Sequence, residues 1–254
     1  MGKVLYRLSG CILVATPSLQ YDFRYIHRIY QHFMDLWMDN PNPLLDKDMS
    51  EVTQVIDAIS PMLKNLFRGK YRIKWGEIGL EASSFRRNQD VDTNIRRRPG
   101  QRTDAILSLR NQLGQELLIC EISGPPYDND LEHFGGDKLK IQKGLRDILN
   151  LIAQRAENGD INIFMRLKIY GLQIYGWKAY LYAMDIPHHN LYRFEQVASF
   201  RIPQSPEDLL WLPAAIHVLL SLRVWIDQTA EDLEKLYRSS CIWVFGILAA
   251  VENH

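Results

Sequence analysis

The amino-acid sequence predicts a mixed α/β (α+β) protein, in which a central mixed sheet is flanked by helices and further helices stand at both ends of the chain. Two patterns support this class. Apolar residues alternate through two neighbouring segments in the middle of the chain, as in a β-hairpin, and three more strand-like segments follow. Apolar residues recur at helical spacing before and after them. The 254 residues can bury a full core, so we expect one compact domain with three regions: a helical region over 1–69, a core with extra strands over 70–203, and helices over 204–254.

The N-terminal part of the chain is predicted to form helices. The Asn-Pro-Asn-Pro segment at 40–43 ends the first of them. The third predicted helix would place Glu77 and Glu81 on one face, because residues four apart lie about one helical turn apart. The predicted helices cover residues 22–39, 49–67 and 75–84.

The hairpin brings two carboxylates together. Asp104 starts the first strand, in RTDAILSL, and Glu121 lies near the end of the second, in LLICEISG. A hairpin centred on Gly114 places these two residues close to opposite each other. Two carboxylates at one end of a sheet form a candidate site for a divalent metal that acts on phosphate.

A basic loop over 85–101 is predicted directly before the hairpin, closed by a Pro-Gly pair. The whole chain has 30 basic and 30 acidic residues, so its net charge does not favour nucleic acid. From residue 68 to residue 102, however, ten basic residues stand against four acidic ones. This local excess next to Asp104 favours contacts with phosphate groups. The candidate nucleic-acid-binding residues are Arg96, Arg97, Arg98 and Arg102.

The second half of the chain is predicted to add a helix, three strands and two helices. Proline has no amide to continue a ladder, so the Gly-Pro-Pro segment at 124–126 ends the second hairpin strand. The expected elements are a helix over 137–156, strands over 161–176, 177–187 and 190–203, and helices over 206–226 and 229–250.

The three cysteines predict a reducing compartment. Cys11, Cys120 and Cys241 are far apart and odd in number, so they form neither a disulfide framework nor a zinc-binding spacing. We therefore expect an intracellular protein, cytoplasmic or nuclear. The apolar runs at 11–15 and 241–251 are too short for a secretory signal or a bilayer span, so no membrane association is expected.

The order of these features resembles the restriction-endonuclease-like PD-(D/E)XK superfamily, in which a helix with an inward glutamate precedes a strand with Asp, a strand with Glu, a helix and a further strand. The resemblance covers about residues 70–175, and the segments WGE, GQRTD, CEISGPP and GDKLKI carry it. More narrowly, the chain is similar to uncharacterised nuclease-like proteins of early-diverging fungi. The resemblance implies a restriction-endonuclease-like core, nuclease activity on DNA or RNA, and Mg²⁺ or Mn²⁺ as the cofactor.

The same resemblance implies roles for individual residues. Asp104 and Glu121 would hold the metal ion, since hard carboxylate oxygens suit Mg²⁺ and Mn²⁺. Glu77 or Glu81 would complete the set from the preceding helix, and the sequence does not choose between them.

The chain departs from the family pattern at the catalytic lysine. The lysine should stand two residues after the glutamate, where this chain has Ser123. A serine hydroxyl cannot supply the positive charge that positions the attacking water and offsets charge on the phosphate. Some members of the superfamily take this charge from the following helix. In that helix Lys138 is predicted to face the sheet at the edge of the apolar stripe while Lys140 points away, so Lys138 is the expected replacement.

Three hypotheses follow. The leading one is a metal-dependent nuclease, because paired carboxylates cost electrostatic energy unless a cation or a proton relieves them. The second is an inactive pseudo-nuclease that binds nucleic acid or a protein, which the serine at position 123 favours. The third is a structural module in which the flanking helices form a homodimer.

Overall fold

The computed structural model of the chain describes residues 5–251 apart from 9–10, 15–16, 93–94, 112–113, 129 and 190, and it describes side chains between residues 19 and 240. Cys120 is a buried free cysteine. The expectations for the thiols of Cys11 and Cys241 lie outside the described side chains.

The N-terminal region is helical after a short antiparallel pair of strands. The predicted first helix is confirmed and begins a turn earlier than expected. The predicted second helix is interrupted by a π-helical turn, and the Ser50 hydroxyl caps its start by accepting a hydrogen bond from the Thr53 amide at 3.1 Å. The elements are β1 (Leu5–Leu8), β2 (Cys11–Val14), α1 (Pro17–Met38), a 3₁₀ turn (Pro43–Leu45), α2 (Glu51–Gln54), the π-helical turn (Val55–Ile59) and α3 (Ser60–Leu66).

The centre of the protein is a six-stranded mixed sheet whose strands lie in chain order. The third and fourth of these strands are joined by two helices, the first and second by a short helix and the basic loop, and the remaining neighbours by short turns. The elements are β3 (Tyr71–Gly79), α4 (Glu81–Arg87), β4 (Arg102–Leu109), β5 (Glu116–Ile122), α5 (Leu131–Arg155), α6 (Ile161–Phe164), β6 (Ile169–Tyr175), β7 (Lys178–His188) and β8 (Leu191–Arg201).

The strand directions explain the long helix. β5 and β6 are parallel, and the other neighbouring pairs of this sheet are antiparallel in the described residues. Parallel neighbours need a crossover connection, which α5 supplies. The predicted class, a mixed sheet flanked by helices, is therefore confirmed.

Helices cover both faces of the sheet. On one face α5 packs on β5, β6 and β7, and the approach is close, because a Cβ on Gly171 would lie 2.2 Å from Cγ2 of Ile141. On the other face Leu172 of β6 lines a small cavity together with Leu63 of α3 and Leu219 of the C-terminal helix. Residues on alternate positions of β6 therefore face α5 or the terminal helices.

The predicted helix over 75–84 is wrong. The chain instead forms β3, turns, and starts α4 at Glu81. Burial alternates along β3 with period two, which is strand periodicity. A bulge between Trp75 and Ile78 leaves Gly76 and Glu77 with φ of 84° and 39°, so the local spacing of apolar residues imitates a helix.

Three downstream predictions also change. α5 begins at Leu131, six residues before the predicted start, because Asp130 caps it by accepting a hydrogen bond from the His133 amide at 2.9 Å. The predicted strand over 161–176 contains α6 and then the shorter β6, whereas β7 and β8 are confirmed. The two predicted C-terminal helices are a 3₁₀ turn (Pro206–Trp211) and one continuous helix, α7 (Leu212–Val251).

Continuity of α7 has a simple cause. The sequence has neither glycine nor proline between residues 214 and 245, so nothing breaks the helix at the predicted junction. The stretch over 206–240 is long and apolar enough to cross a membrane by length and composition, and 39% of its most apolar window is buried in the protein. In this fold α7 packs on α1, α3, β6 and β8.

The start of α4 fixes the connection into the hairpin. The Glu116 carboxylate of β5 accepts hydrogen bonds from the amides of Glu81 and Ala82, at 2.7 and 3.1 Å. The Leu80 amide donates to the Gln101 carbonyl at 2.9 Å, so the end of the basic loop is pressed against the start of α4. A Cβ at Gly100 would lie 2.0 Å from the Leu80 carbonyl oxygen.

We expect Gly100→Ala to lower the free energy of unfolding by about 2 kcal/mol or more, because the backbone at Leu80 has to move to admit the methyl group. Gly136→Ala is the matched control, since no described atom lies within 4 Å of a Cβ there and alanine favours the helix. Urea unfolding of both variants measures the difference. Equal stability of the two would contradict the close approach.

Candidate functional site

Asp104 and Glu121 lie on the same face and at the same end of the sheet. The register of β4 and β5 pairs Ala105 with Cys120, which sets Asp104 opposite Glu121. Directly opposed residues of an antiparallel pair share a face. An Asp104 carboxylate oxygen, Oδ2, accepts a hydrogen bond from the Ile122 amide at 2.7 Å, which holds the side chain across the hairpin. The sequence-based expectation for the relative position of these two residues therefore agrees with the strand register.

The two carboxyl groups interact strongly. Glu121 is 2% exposed. Burial, the neighbouring charge of Asp104 and a hydrogen bond between the two side chains raise the pKa of Glu121 to about 9. Burial also raises the pKa of Asp104, and the hydrogen bond from the Ile122 amide opposes this change. Without a cation the pair therefore shares a proton at neutral pH.

A third carboxylate, Asp137 of α5, approaches the pair and is 1% exposed. Its charge raises the pKa of both Asp104 and Glu121. Its Oδ1 atom accepts a hydrogen bond from the Lys140 ammonium at 2.7 Å, and the His133 Nε2 atom lies 3.5 Å from Oδ2. The sequence analysis did not single out Asp137, although the Asp-x-x-Lys spacing is that of a helical ion pair.

At this site two buried carboxylate oxygens have no hydrogen-bond partner among the described residues: Oε1 of Glu121 and Oδ2 of Asp137, the latter facing His133 only at ion-pair distance. Leaving a buried polar atom without a partner costs about 1–3 kcal/mol. A cation, or a donor from a bound molecule, would remove that cost.

Lys140, and not Lys138, is the lysine beside the carboxylates. Burial alone would lower the pKa of Lys140, but the hydrogen bond with Asp137 and the charges of Glu121 and Asp104 raise it. Lys138 faces the sheet, as expected, but its ammonium lies over the Tyr182 ring, 5.4 Å from the centroid. The prediction that Lys140 points away is wrong. The buried face of α5 includes Asp137 and Gly144, which do not belong to its apolar stripe. The buried face is therefore wider than the stripe and extends toward Lys140.

The helix glutamate near the pair is Glu51 of α2, which the sequence analysis did not identify. Burial, and after it the charges of Asp104 and Asp137, raises the pKa of Glu51, while His133 and a hydrogen bond with the Gly124 backbone oppose the change. The sequence offered no signal for Glu51, since it lies 53 positions before Asp104 (104 − 51) and reaches the site through tertiary packing.

Glu77 and Glu81 lie in different elements and do not share a face. Glu77 lies at the bulge of β3 and its charge acts on Asp104, but its side chain is 68% exposed, with Oε2 3.9 Å from Arg102. Glu81 starts α4 and forms an ion pair with Arg155 at 2.5 Å. The expectation that the two share a helix face is wrong, and the structure places Glu77 nearer to the carboxylate pair.

The four predicted phosphate-contacting arginines are exposed. The backbone of Arg98 is fixed by Asn88, whose side chain accepts from its amide at 2.7 Å and donates to its carbonyl at 2.8 Å. Arg102 opens β4, two residues before Asp104. The four residues are thus open to solvent, and Arg102 lies at the carboxylate end of the sheet.

Ser123 belongs to a buried polar network. Its hydroxyl accepts a hydrogen bond from Gln173 Nε2 at 2.9 Å, and the same nitrogen donates to the Phe134 carbonyl at 2.7 Å. Gln173 Oε1 accepts from the Tyr182 hydroxyl at 3.2 Å. Since Gln173 is paired with Glu121 across β5 and β6, this network ties the first turns of α5 to the sheet directly beside the carboxylates.

The donor set suits a divalent ion bound partly by water. Among the described residues, no group of three or more His, Cys, Asp or Glu side chains has the arrangement of a metal site. Mg²⁺ typically keeps several waters and binds through one or two carboxylates. Asp104 and Glu121, with an unpaired oxygen on Glu121, fit that description.

Comparison of the chain with protein-family models, curated proteins and solved structures found no match.

Without metal, we expect the protein to lose stability as the pH rises from about 4.5 to about 9, the ordinary and the folded pKa of Glu121. In this range the folded protein keeps the proton that the unfolded chain releases, so rising pH favours unfolding. Glu121→Gln removes this titration. Thermal unfolding in EDTA should show the variant gaining on the wild type as the pH rises, with no further gain above pH 9.

Glu116, whose pKa burial raises to about 7, titrates in both proteins, so its contribution cancels in the difference. A difference in melting temperature that does not change with pH would contradict the buried, protonated state of Glu121.

Proposed function

We propose that the protein is a metal-dependent phosphodiesterase that cleaves nucleic acid, built on a restriction-endonuclease-like core. The observation that carries the proposal is the pair of the half-buried Asp104 and the buried Glu121, in which one oxygen of Glu121 has no partner among the described residues and a lysine ammonium stands nearby. The order of elements supports it: three antiparallel strands, a long helix and a strand parallel to the last of the three.

Asp104 and Glu121 would hold Mg²⁺ or Mn²⁺, which when bound supplies a Lewis acid for the phosphate and an acidified water. Asp137 acts on both carboxylates and Glu51 interacts with Asp104, so both are candidates for orienting ion-bound water. The exposed arginines at 96–98 and 102 are suited to hold the nucleic-acid backbone.

Lys140 takes the role that the family gives to the lysine of the second strand. Its ammonium is fixed by Asp137 and interacts with both Glu121 and Asp104. A fixed positive charge at this point would orient the attacking water and offset charge that builds up on the phosphate. Ser123 occupies the usual position of that lysine, and its hydroxyl accepts a hydrogen bond from Gln173. Lys140 would therefore supply the positive charge from the following helix.

The engaged serine also supports the second hypothesis, an inactive pseudo-nuclease that binds nucleic acid or a protein. The two hypotheses differ in whether the protein cuts nucleic acid when a metal ion is supplied. The homodimer and the intracellular location, cytoplasmic or nuclear, stay predictions.

Purified protein is expected to cut DNA or RNA with Mg²⁺ or Mn²⁺, and EDTA should stop the cleavage. Asp104→Asn should reduce cleavage at least about a hundredfold, since it keeps the shape of the side chain and removes charge from the metal site. Cleavage of labelled oligonucleotides, with the metal-induced shift in melting temperature measured in parallel, tests both points. Binding without cleavage under all metal conditions would favour the pseudo-nuclease.

Replacing Lys140 separates the two lysines. Lys140→Ala should lower kcat by about 10²–10³-fold, the effect of losing one positioned electrostatic group, and Lys140→Arg should retain part of the activity. Lys138→Ala is the control and should cleave at nearly the wild-type rate. Melting temperatures show whether the Lys140 variants stay folded. Loss of activity in Lys138→Ala with an active Lys140→Ala protein would reverse the assignment.

A further inference from the structure

A second feature lies at the same end of the sheet as the carboxylates. β6 runs parallel to β5, so the end of β6, the start of β7 and the end of β8 all lie at the Glu121 end. A pocket of about 290 Å³ opens there, between the β6–β7 turn and the 3₁₀ turn before α7. We call it the tryptophan pocket, after Trp177 and Trp211. Its lining also includes Lys178, Arg201, Gln204 and Asp208.

The turn that carries Trp177 contacts the loop that leaves the Glu121 strand. Gly176, in the turn that carries Trp177, is so close to the loop after β5 that a Cβ there would lie 3.3 Å from the Pro126 carbonyl oxygen. The next residue of that loop, Tyr127, packs edge-to-face against Trp177 with ring centroids 6.1 Å apart. The loop that leaves Glu121 therefore forms part of the support of the pocket.

Helix α2 bridges the two features from the N-terminal region. Glu51, at its start, interacts electrostatically with Asp104. One turn later the buried Gln54 side chain donates to the Gly176 carbonyl at 2.7 Å. One short helix thus contacts both the carboxylate end and the turn that carries the pocket.

The lining of the pocket suits a planar ring followed by negative charge. Trp211 is 44% exposed although it is a large aromatic side chain, and the Arg201 guanidinium carbon lies 4.8 Å from its ring centroid. Lys178 and Arg201 are both exposed. They outnumber Asp208, which accepts a hydrogen bond from the Gln204 amide at 3.0 Å. Aromatic rings and arginine planes that stack bases, next to cations for the backbone, are the usual components of single-strand binding sites.

We propose that the tryptophan pocket binds one unpaired nucleobase of a single strand whose backbone continues to Asp104 and Glu121. The proposal rests on the proposed function and names its substrate class: single-stranded nucleic acid or a single-stranded end. In a duplex the bases are stacked on one another and cannot reach a side pocket without unpairing, which disfavours a duplex substrate.

The strand spacing sets the length of strand required. Two to three interstrand distances of roughly 4.8 Å separate β5 from the β7 and β8 ends, or roughly 10–14 Å. That distance corresponds to roughly three to four nucleotides at the 3.4 Å rise of stacked bases. Oligonucleotides longer than this can occupy both features, whereas dinucleotides cannot.

Trp211→Ala tests the proposal, with Trp225→Ala as the matched control. Trp225 is 37% exposed and stacks on Tyr170, at the start of β6 and so at the opposite end of the sheet. Binding of a fluorescent ten-nucleotide single strand, in EDTA to prevent cleavage, is measured by anisotropy. Trp211→Ala is expected to weaken binding by about tenfold, as for the loss of one stacked base. Trp225→Ala and the wild type should bind alike, and a duplex of the same sequence should bind more weakly than the single strand.

Equal binding by the Trp211→Ala and Trp225→Ala proteins would overturn the proposal, as would an equal effect of Trp211→Ala on single strand and duplex. Failure of the proposed nuclease activity can be distinguished from failure of the tryptophan pocket. If nothing is cut but single-strand binding depends on Trp211, the tryptophan pocket stands without the enzyme. If the wild type cuts a ten-nucleotide strand and Trp211→Ala leaves its KM unchanged, the enzyme stands without the pocket.

Discussion

The burial of Glu121 next to Asp104 is the constraint around which this end of the protein is organised. A buried carboxylate costs free energy, and a second carboxylate beside it adds to the cost. The β4–β5 register forces the two together, because the hydrophobic residues on either side of them must face the core. The fold tolerates the pair by protonation, by the Ile122 amide and by the nearby Lys140 charge. Such an arrangement is stable and useful if a cation replaces the proton.

The surrounding elements hold this arrangement through polar contacts and close packing together. Gln173 connects Ser123, the Phe134 carbonyl and Tyr182, so the N-terminal part of α5 is fixed relative to β5 and β6. Asp137 and Lys140 belong to that same part of α5 and are positioned by it. Gly171 permits α5 to approach the sheet closely enough for these contacts. A side chain at position 171 would therefore move charges at the carboxylates as well as disturb the core.

The N-terminal region contributes to the site as well as to stability. α2 contacts the carboxylate end through Glu51 and the β6–β7 turn through Gln54. The restriction-endonuclease-like resemblance covers only about residues 70–175, so this contribution comes from outside it. Removing residues before β3 would take away one acidic group of the site and one of the supports of the tryptophan pocket, besides exposing the sheet face that α3 covers.

The sequence alone determined the features that depend on local pattern. Alternation in RTDAILSL and LLICEISG predicted the hairpin and the opposition of Asp104 and Glu121, and apolar spacing predicted the mixed α/β class. The tertiary structure decided what depends on distant residues or on burial of polar groups. Glu51 reaches the site through the packing of α2, and a bulge, not a helix, positions Glu77. Lys140 replaced Lys138 as the lysine of the site because the buried face of α5 includes Asp137, a charged residue that hydrophobic periodicity assigns to solvent.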